Sequence, residues 1–100
     1  GIDVVLALDV SNSMLAVEAG ASRMQLAKTM LLQLVRRSAN DRIALVLFAG
    51  QAYLHMPLTF DRGAAELLLS TAAPDAVKAQ GTAIGEALNK AAAAFEPEPE

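Results

Sequence analysis

One hundred residues with 54% hydrophobic and only 19% charged side chains make at most one compact domain, with ample material for a core and nothing of a disordered composition. Eight basic against 11 acidic residues give a net charge of −3, and the basic ones are scattered apart from Arg36-Arg37, so the electrostatic footprint of a nucleic-acid binder is missing. The absence of cysteine excludes disulfides, thiolate catalysis and cysteine-ligated zinc, and no apolar stretch approaches the roughly 20 residues of a membrane span.

Residues 4–8, VVLAL, are continuously apolar, which predicts a strand covered on both faces in an α/β sheet. Asp9 ends it, and the small and polar residues from Val10 to Gly20 predict a loop. SRMQLAKTMLLQLVRR then predicts a helix. Ser22 and Gln25 have capping-box spacing, Met24, Ala27, Leu31 and Leu34 recur at helical intervals, and Arg36 and Arg37 suit the negative end of the dipole. RIALVLFA predicts a second buried strand. Gly50-Gln51 has the form of a two-residue type II′ turn into a short strand, AYLHM, stopped by Pro57 and expected at a sheet edge.

Asp61 is placed to cap a second helix running to about Ala73, with Leu67, Leu68 and Leu69 as its buried side. PDAVKAQGT predicts a loop, followed by a third helix lined on one side by Ile84, Leu88, Ala91 and Phe95. The acidic, proline-rich residues 96–100 read as a tail or linker outside a domain of residues 1–95. The order strand, helix, strand, strand, helix, helix is that of an α/β fold. Its first crossover is right-handed if the first two strands are parallel neighbours.

Ligands of open α/β sheets bind beyond the carboxyl ends of the strands, where Asp9-Val10-Ser11-Asn12-Ser13 falls. In an extended segment alternate side chains share a side, so one carboxylate and two hydroxyls can converge there. Oxygen-only convergence suits a hard cation such as Mg²⁺ and disfavours zinc or copper. The same residue types also cap turns, so spacing alone leaves a purely structural role open. A phosphoryl-accepting Asp9 usually needs a second acid two residues on, where Ser11 stands. Ser11 or Ser13 as an acyl nucleophile needs a histidine base, and the single histidine, His55, lies on the expected edge strand. Thr82, after Gly81, reads either as the N-cap of the third helix or as a hydroxyl offered outward from the same sheet edge.

Asp9-Val10-Ser11-Asn12-Ser13 after an apolar strand, with Gly81-Thr82-Ala83-Ile84-Gly85 further on, resembles the front half of a von Willebrand factor A domain. SRMQLAK, NDRIALVLFAGQAYLHMPLTFDR and QGTAIGEAL are especially similar to the aerotolerance-type (Bat) bacterial members, and the resemblance covers residues 2–95. It implies a Rossmann-like three-layer α/β sandwich of which this chain supplies the N-terminal half, with an incomplete sheet. It also implies a non-enzymatic protein-binding module built on a metal-ion-dependent adhesion site. Ser11 and Ser13 would be direct ligands of Mg²⁺ (or Mn²⁺ or Ca²⁺), and Asp9 would hold the ion closely or through a water. Thr82 would be the ligand whose engagement changes when a partner's Asp or Glu occupies the site. Asn12, Met14 and Gly81 would touch that partner.

The family also uses an aspartate in a T-D-G turn after its fourth strand. This chain has no T-D-G, and Asp61 and Asp75 sit in the wrong places to replace it. The expectation is that the chain ends before the fourth strand and binds metal weakly for want of an anionic anchor. Strand one is central in the family sheet, so residues 4–8 are expected to keep an unpaired edge. Self-association through that edge, or membership of a longer protein, is the expected consequence. In the aerotolerance-type proteins, flanking helices tether the domain to the membrane on its extracytoplasmic, periplasmic side. The resemblance implies that setting for a parent protein, with this stretch itself soluble. Two other readings stay open: a Mg²⁺-dependent phosphotransferase or phosphatase acting through Asp9, and a metal-free scaffold with a decayed site.

Overall fold

Two apolar runs, DVVLALD and RIALVLFA, form adjacent parallel strands in the computed structural model, which describes residues 1–94. The predicted end of the third helix at Phe95 and the tail 96–100 lie outside the described residues. In chain order the elements are β1 (Asp3–Asp9), a 3-10 turn (Asn12–Leu15), the two-residue strands β2 (Val17–Glu18) and β3 (Ala21–Ser22), and α1 (Arg23–Arg37). Then come β4 (Arg42–Ala49), β5 (Gln51–Thr59), α2 (Arg62–Ser70) and α3 (Pro74–Ala94). The main sheet has the order β1-β4-β5, so β1 is an edge as the sequence led one to expect, and β5 is the other.

The parallel register runs from Asp3 opposite Arg42 to Asp9 opposite Phe48, and Arg42 grips Asp3 with two bonds of 2.8 and 2.7 Å at its start. α1 is closed by the predicted capping box: the Gln25 N–H donates to the Ser22 hydroxyl at 3.1 Å, and the Ser22 N–H donates to the Gln25 side-chain oxygen at 2.8 Å. α1 and α2 both pack on one face of the sheet, where Leu6, Leu45, Met56, Val35 and Leu69 form one buried cluster. The buried side of α1 passes through Val35 rather than Leu34, which is half exposed.

Several expectations need correction. β1 is covered on one face only: Leu6 and Leu8 are buried, whereas Val5 on the other face is 62% exposed, because no described helix packs over it. Gly50 alone makes the hairpin turn, at φ +80, a conformation that costs glycine nothing; Gln51 already pairs with Ala49. β5 continues through Pro57 to Thr59. As an outer strand with a register shift opposite Ile43 and Leu45, it tolerates the missing N–H there. α2 stops at Ser70, before Pro74, and buries Ala65 and Leu69 while Leu67 points outward.

The largest departure is residues 74–82, predicted as a loop and found as the first turns of α3. Pro74 occupies the first helical position, Asp75 suits the positive end of the dipole, and an alanine-rich stretch follows. Together these outweigh Gly81 and Gly85, each of which costs about 1 kcal/mol relative to alanine in a helix interior. Of α3 only Val77 is buried, so the predicted apolar side is not a packed one: Ile84 is half exposed and Leu88 is 64% exposed. Among the described residues no helix is long and apolar enough to cross a membrane.

Candidate metal-binding site

Asp9 closes β1, and the chain keeps its parallel register one step further: the Val10 N–H donates to the Phe48 carbonyl at 2.9 Å, and Val10 is fully buried. That anchor sets the loop above the carboxyl ends of β1 and β4. Ser11 stays extended and its N–H donates to the Asp9 carboxylate at 2.9 Å. The chain then tightens into the 3-10 turn, with the Met14 N–H donating to the Ser11 carbonyl at 3.0 Å. The turn returns Ser13 so that its hydroxyl oxygen is 3.0 Å from that of Ser11. The two hydroxyls therefore meet because the segment curls, not because it is extended as the alternating spacing suggested.

The Ser11 backbone N–H and hydroxyl hold the Asp9 carboxyl below the usual carboxylate range, partial burial opposing them weakly. Asp9 is thus an anion at neutral pH, half-buried beside a pair of hydroxyls. Asn12 is exposed on the turn, while Met14 packs against the core cluster and is only half accessible.

Thr82 and Gly81 are not beside these groups. The Thr82 hydroxyl donates to the Lys78 carbonyl at 3.1 Å inside α3, so it is not an N-cap. Gly81 lets α3 approach β5: a methyl group there would sit 3.2 Å from the Tyr53 hydroxyl oxygen, and the neighbouring Gln80 amide donates to the Leu54 carbonyl at 3.1 Å. What the helix does bring to the loop are two residues that the loop reading of PDAVKAQGT concealed, Asp75 and Lys78. A cleft of about 360 Å³ has Val10, Ser11, Asn12 and Ala49 on one side and Pro74, Asp75, Val77 and Lys78 on the other. Asp75, judged out of place from the sequence, thus shares a cleft with Ser11. The proline followed by an acid was the available sign of a helix start.

His55 is engaged elsewhere. Its Nε2 lies 2.9 Å from the Leu68 carbonyl and 3.2 Å from the Thr71 hydroxyl, tying β5 to the end of α2. It is not aligned with either serine as a base.

Asp9, Ser11 and Ser13 offer only hard oxygen donors, a set that fits a cation such as Mg²⁺. Among the described residues no group of three or more His, Cys, Asp or Glu could hold a metal. An ion at this loop would therefore depend on hydroxyl and water ligands around a single carboxylate.

The chain, whose parallel strand pair ends in a carboxylate beside two close hydroxyls, belongs to the von Willebrand factor type A domain family, which matches residues 4–100. It is similar to the conserved hypothetical protein BatB from Bacteroides thetaiotaomicron, with 42% identity and a TM-score of 0.73 over 98% of this chain and 48% of that one. It is also similar to an aerotolerance-related membrane protein from Bacteroides fragilis, solved with multiple mutations to serines, at 39% identity and a TM-score of 0.70 over 75% of this chain and 37% of that one. An uncharacterized protein from Borreliella burgdorferi is 40% identical over 63 residues, which are 62% of this chain and 18% of that relative. The chain spans less than half the length of each of these relatives.

Proposed function

We propose that the chain is part of a non-catalytic protein-interaction domain that recognises an acidic group of a partner through a divalent cation held by Asp9, Ser11 and Ser13. The observation that carries this reading is the 3.0 Å approach of the two serine hydroxyls beside an ionised Asp9 at the carboxyl end of the sheet. The cation, Mg²⁺ or in its place Mn²⁺ or Ca²⁺, supplies an electrophilic position for a partner Asp or Glu carboxylate. The chain's residues do the holding: Asp9 provides charge, the Ser11 N–H fixes its orientation, and the hydroxyls complete a neutral oxygen face. With one carboxylate the affinity for the ion is weak.

In this reading Thr82 becomes a ligand only when α3 opens around Gly81 and Gly85, its weakest positions. Asn12, and Met14 by the part it leaves accessible, then border the partner, with Gly81 joining them in the opened helix. The kinship with an aerotolerance-related membrane protein supports a membrane-associated parent; the extracytoplasmic side is the setting this reading assigns to the domain. The open side of β1 supports self-association of the chain when nothing else covers it.

The test is an amide NMR titration with Mg²⁺ and Mn²⁺. Shifts at Ser11–Met14 that vanish in Asp9→Asn and in the Ser11→Ala, Ser13→Ala double variant are expected. Partner binding that survives EDTA would leave the metal-free scaffold as the better reading. Capture of beryllofluoride at Asp9 would favour phosphoryl transfer instead.

A further inference from the structure

α3 is amphipathic along its length, yet only its start is packed. At helical spacing Ile84, Leu88 and Ala91 share one side and Glu86, Asn89 and Lys90 lie on the other, and all six are exposed. The face of the sheet turned away from α1 and α2 is apolar and open in the same way. Ala7, Val46 and Leu54 stand abreast across its three strands, with Val5 and Phe48 two residues away on the same side, and Val5 and Leu54 are 62% and 58% exposed. Between Asp3, which is paired with Arg42, and Asp9, this face of β1 and β4 has no charged residue.

The two surfaces adjoin at β5. Ala76 and Val77 fix the start of α3 on the core, and the Gln80 amide holds the carbonyl of Leu54, whose side chain belongs to the open face. Just beyond, Gly81 and Gly85 are the weakest helical positions, and the Thr82 hydroxyl between them sits on the Lys78 carbonyl, a bond that bends helices. A helical segment as short as residues 83–94 with nothing packed on it is marginal in water. It is about 18 Å long, enough to cross three strands that together span roughly 10 Å.

We infer that residues 83–94 form a strap that hinges at Gly81–Gly85 and closes over the open face, laying Ile84, Leu88 and Ala91 on Val5, Phe48 and Leu54. Glu86, Asn89 and Lys90 stay in water when it does, so no charge is buried. Closing exchanges a few helical hydrogen bonds around the glycines for apolar contact on both surfaces, and the extended and closed forms coexist. The closed strap hides the apolar face from other occupants and releases the Thr82 hydroxyl from the Lys78 carbonyl. It needs no cation and stands apart from the metal-dependent reading.

The chain has no cysteine, so Asn89→Cys takes a single nitroxide on the polar side of the strap, clear of the contact. In the dilute ¹⁵N-labelled chain the amides of Val5, Ala7, Val46 and Phe48 should broaden, and the broadening should vanish when the label is reduced. Gly85→Ala, whose methyl meets open space, should cut the broadening about five-fold, the worth of one glycine-to-alanine change in a helix. Leu88→Asn, at an exposed position, should remove it. Amides that stay sharp, or broadening that Gly85→Ala leaves unchanged, overturn the inference. So does equal broadening of an unlabelled ¹⁵N chain by a nitroxide-bearing ¹⁴N one, which would place a second copy on the face.

Discussion

The turn after β1 and the middle of α3 each carry hydroxyls that the motif pattern pairs, yet they are held in different ways. The turn is pinned at its entry, by the Val10 N–H on the Phe48 carbonyl and by the Ser11 N–H on Asp9, above a strand whose inward Leu6 and Leu8 are buried. α3 is held by Ala76 and Val77 on the core and by the Gln80 amide on the Leu54 carbonyl, and beyond Gly81 none of its described residues is buried. The comparison teaches that tertiary contacts organise one half of the motif and local propensity the other. The α3 half is therefore the part that opens most easily.

The largest expected effect breaks the packed region. Leu47 is wholly inaccessible, and Leu47→Ala should cost about 2–5 kcal/mol in denaturant unfolding, whereas Leu88→Ala, at a residue 64% exposed on α3, should stay within about 0.5 kcal/mol. Comparable losses at the two positions would mean that the far end of α3 is packed after all. Next in size, Ser22→Ala removes one half of the capping box that launches α1 and should lower stability by about 1 kcal/mol, read as a fall in melting temperature.

A smaller effect of the opposite sign sharpens the comparison on α3. Gly85 has open space where a side chain would start, so Gly85→Ala should raise helicity and stability by at most about 1 kcal/mol, measured by circular dichroism. Gly81→Ala should gain less, because its methyl meets the Tyr53 hydroxyl. If Thr82 must leave the helix to serve the loop, Gly85→Ala should also weaken cation-dependent partner binding.

The smallest effect concerns pH. The carboxyl of Asp9 is held below its ordinary range in the folded chain, so its contribution to stability is complete above the ordinary carboxylate value and is lost as pH falls through its lower, folded value. Stability curves of the parent chain and Asp9→Asn should run parallel at neutral pH and converge only in acid. Parallel curves throughout would show that Ser11 does not perturb Asp9.

What could be read in advance was mostly local. Ser22 and Gln25 form a capping box because three residues of sequence contain everything it needs, and Asp61 caps α2 for the same reason. The two apolar runs were read as strands and are strands, and the parallel pairing that the reading left as a condition is what forms. The stretch PDAVKAQGT was harder, because Pro74, Gly81 and Thr82 each suit a loop as well as a helix, and only the summed propensity of the surrounding alanines decides between them.

By itself the sequence determined the family, through its motifs, the order β1, α1, β4, β5 though not the two-residue strands β2 and β3 between β1 and α1, and the oxygen-only donor set of Asp9, Ser11 and Ser13. Tertiary structure alone decided which face of β1 is covered, since an unbroken apolar run carries no face preference. It also decided that Ser11 and Ser13 meet through a 3-10 turn and that Asp75 and Lys78, rather than Thr82, border the cleft beside Ser11. Each of these depends on where distant segments come to rest: α1 and α2 on one side of the sheet, the Phe48 carbonyl at the loop's base, and the first turns of α3 across from it.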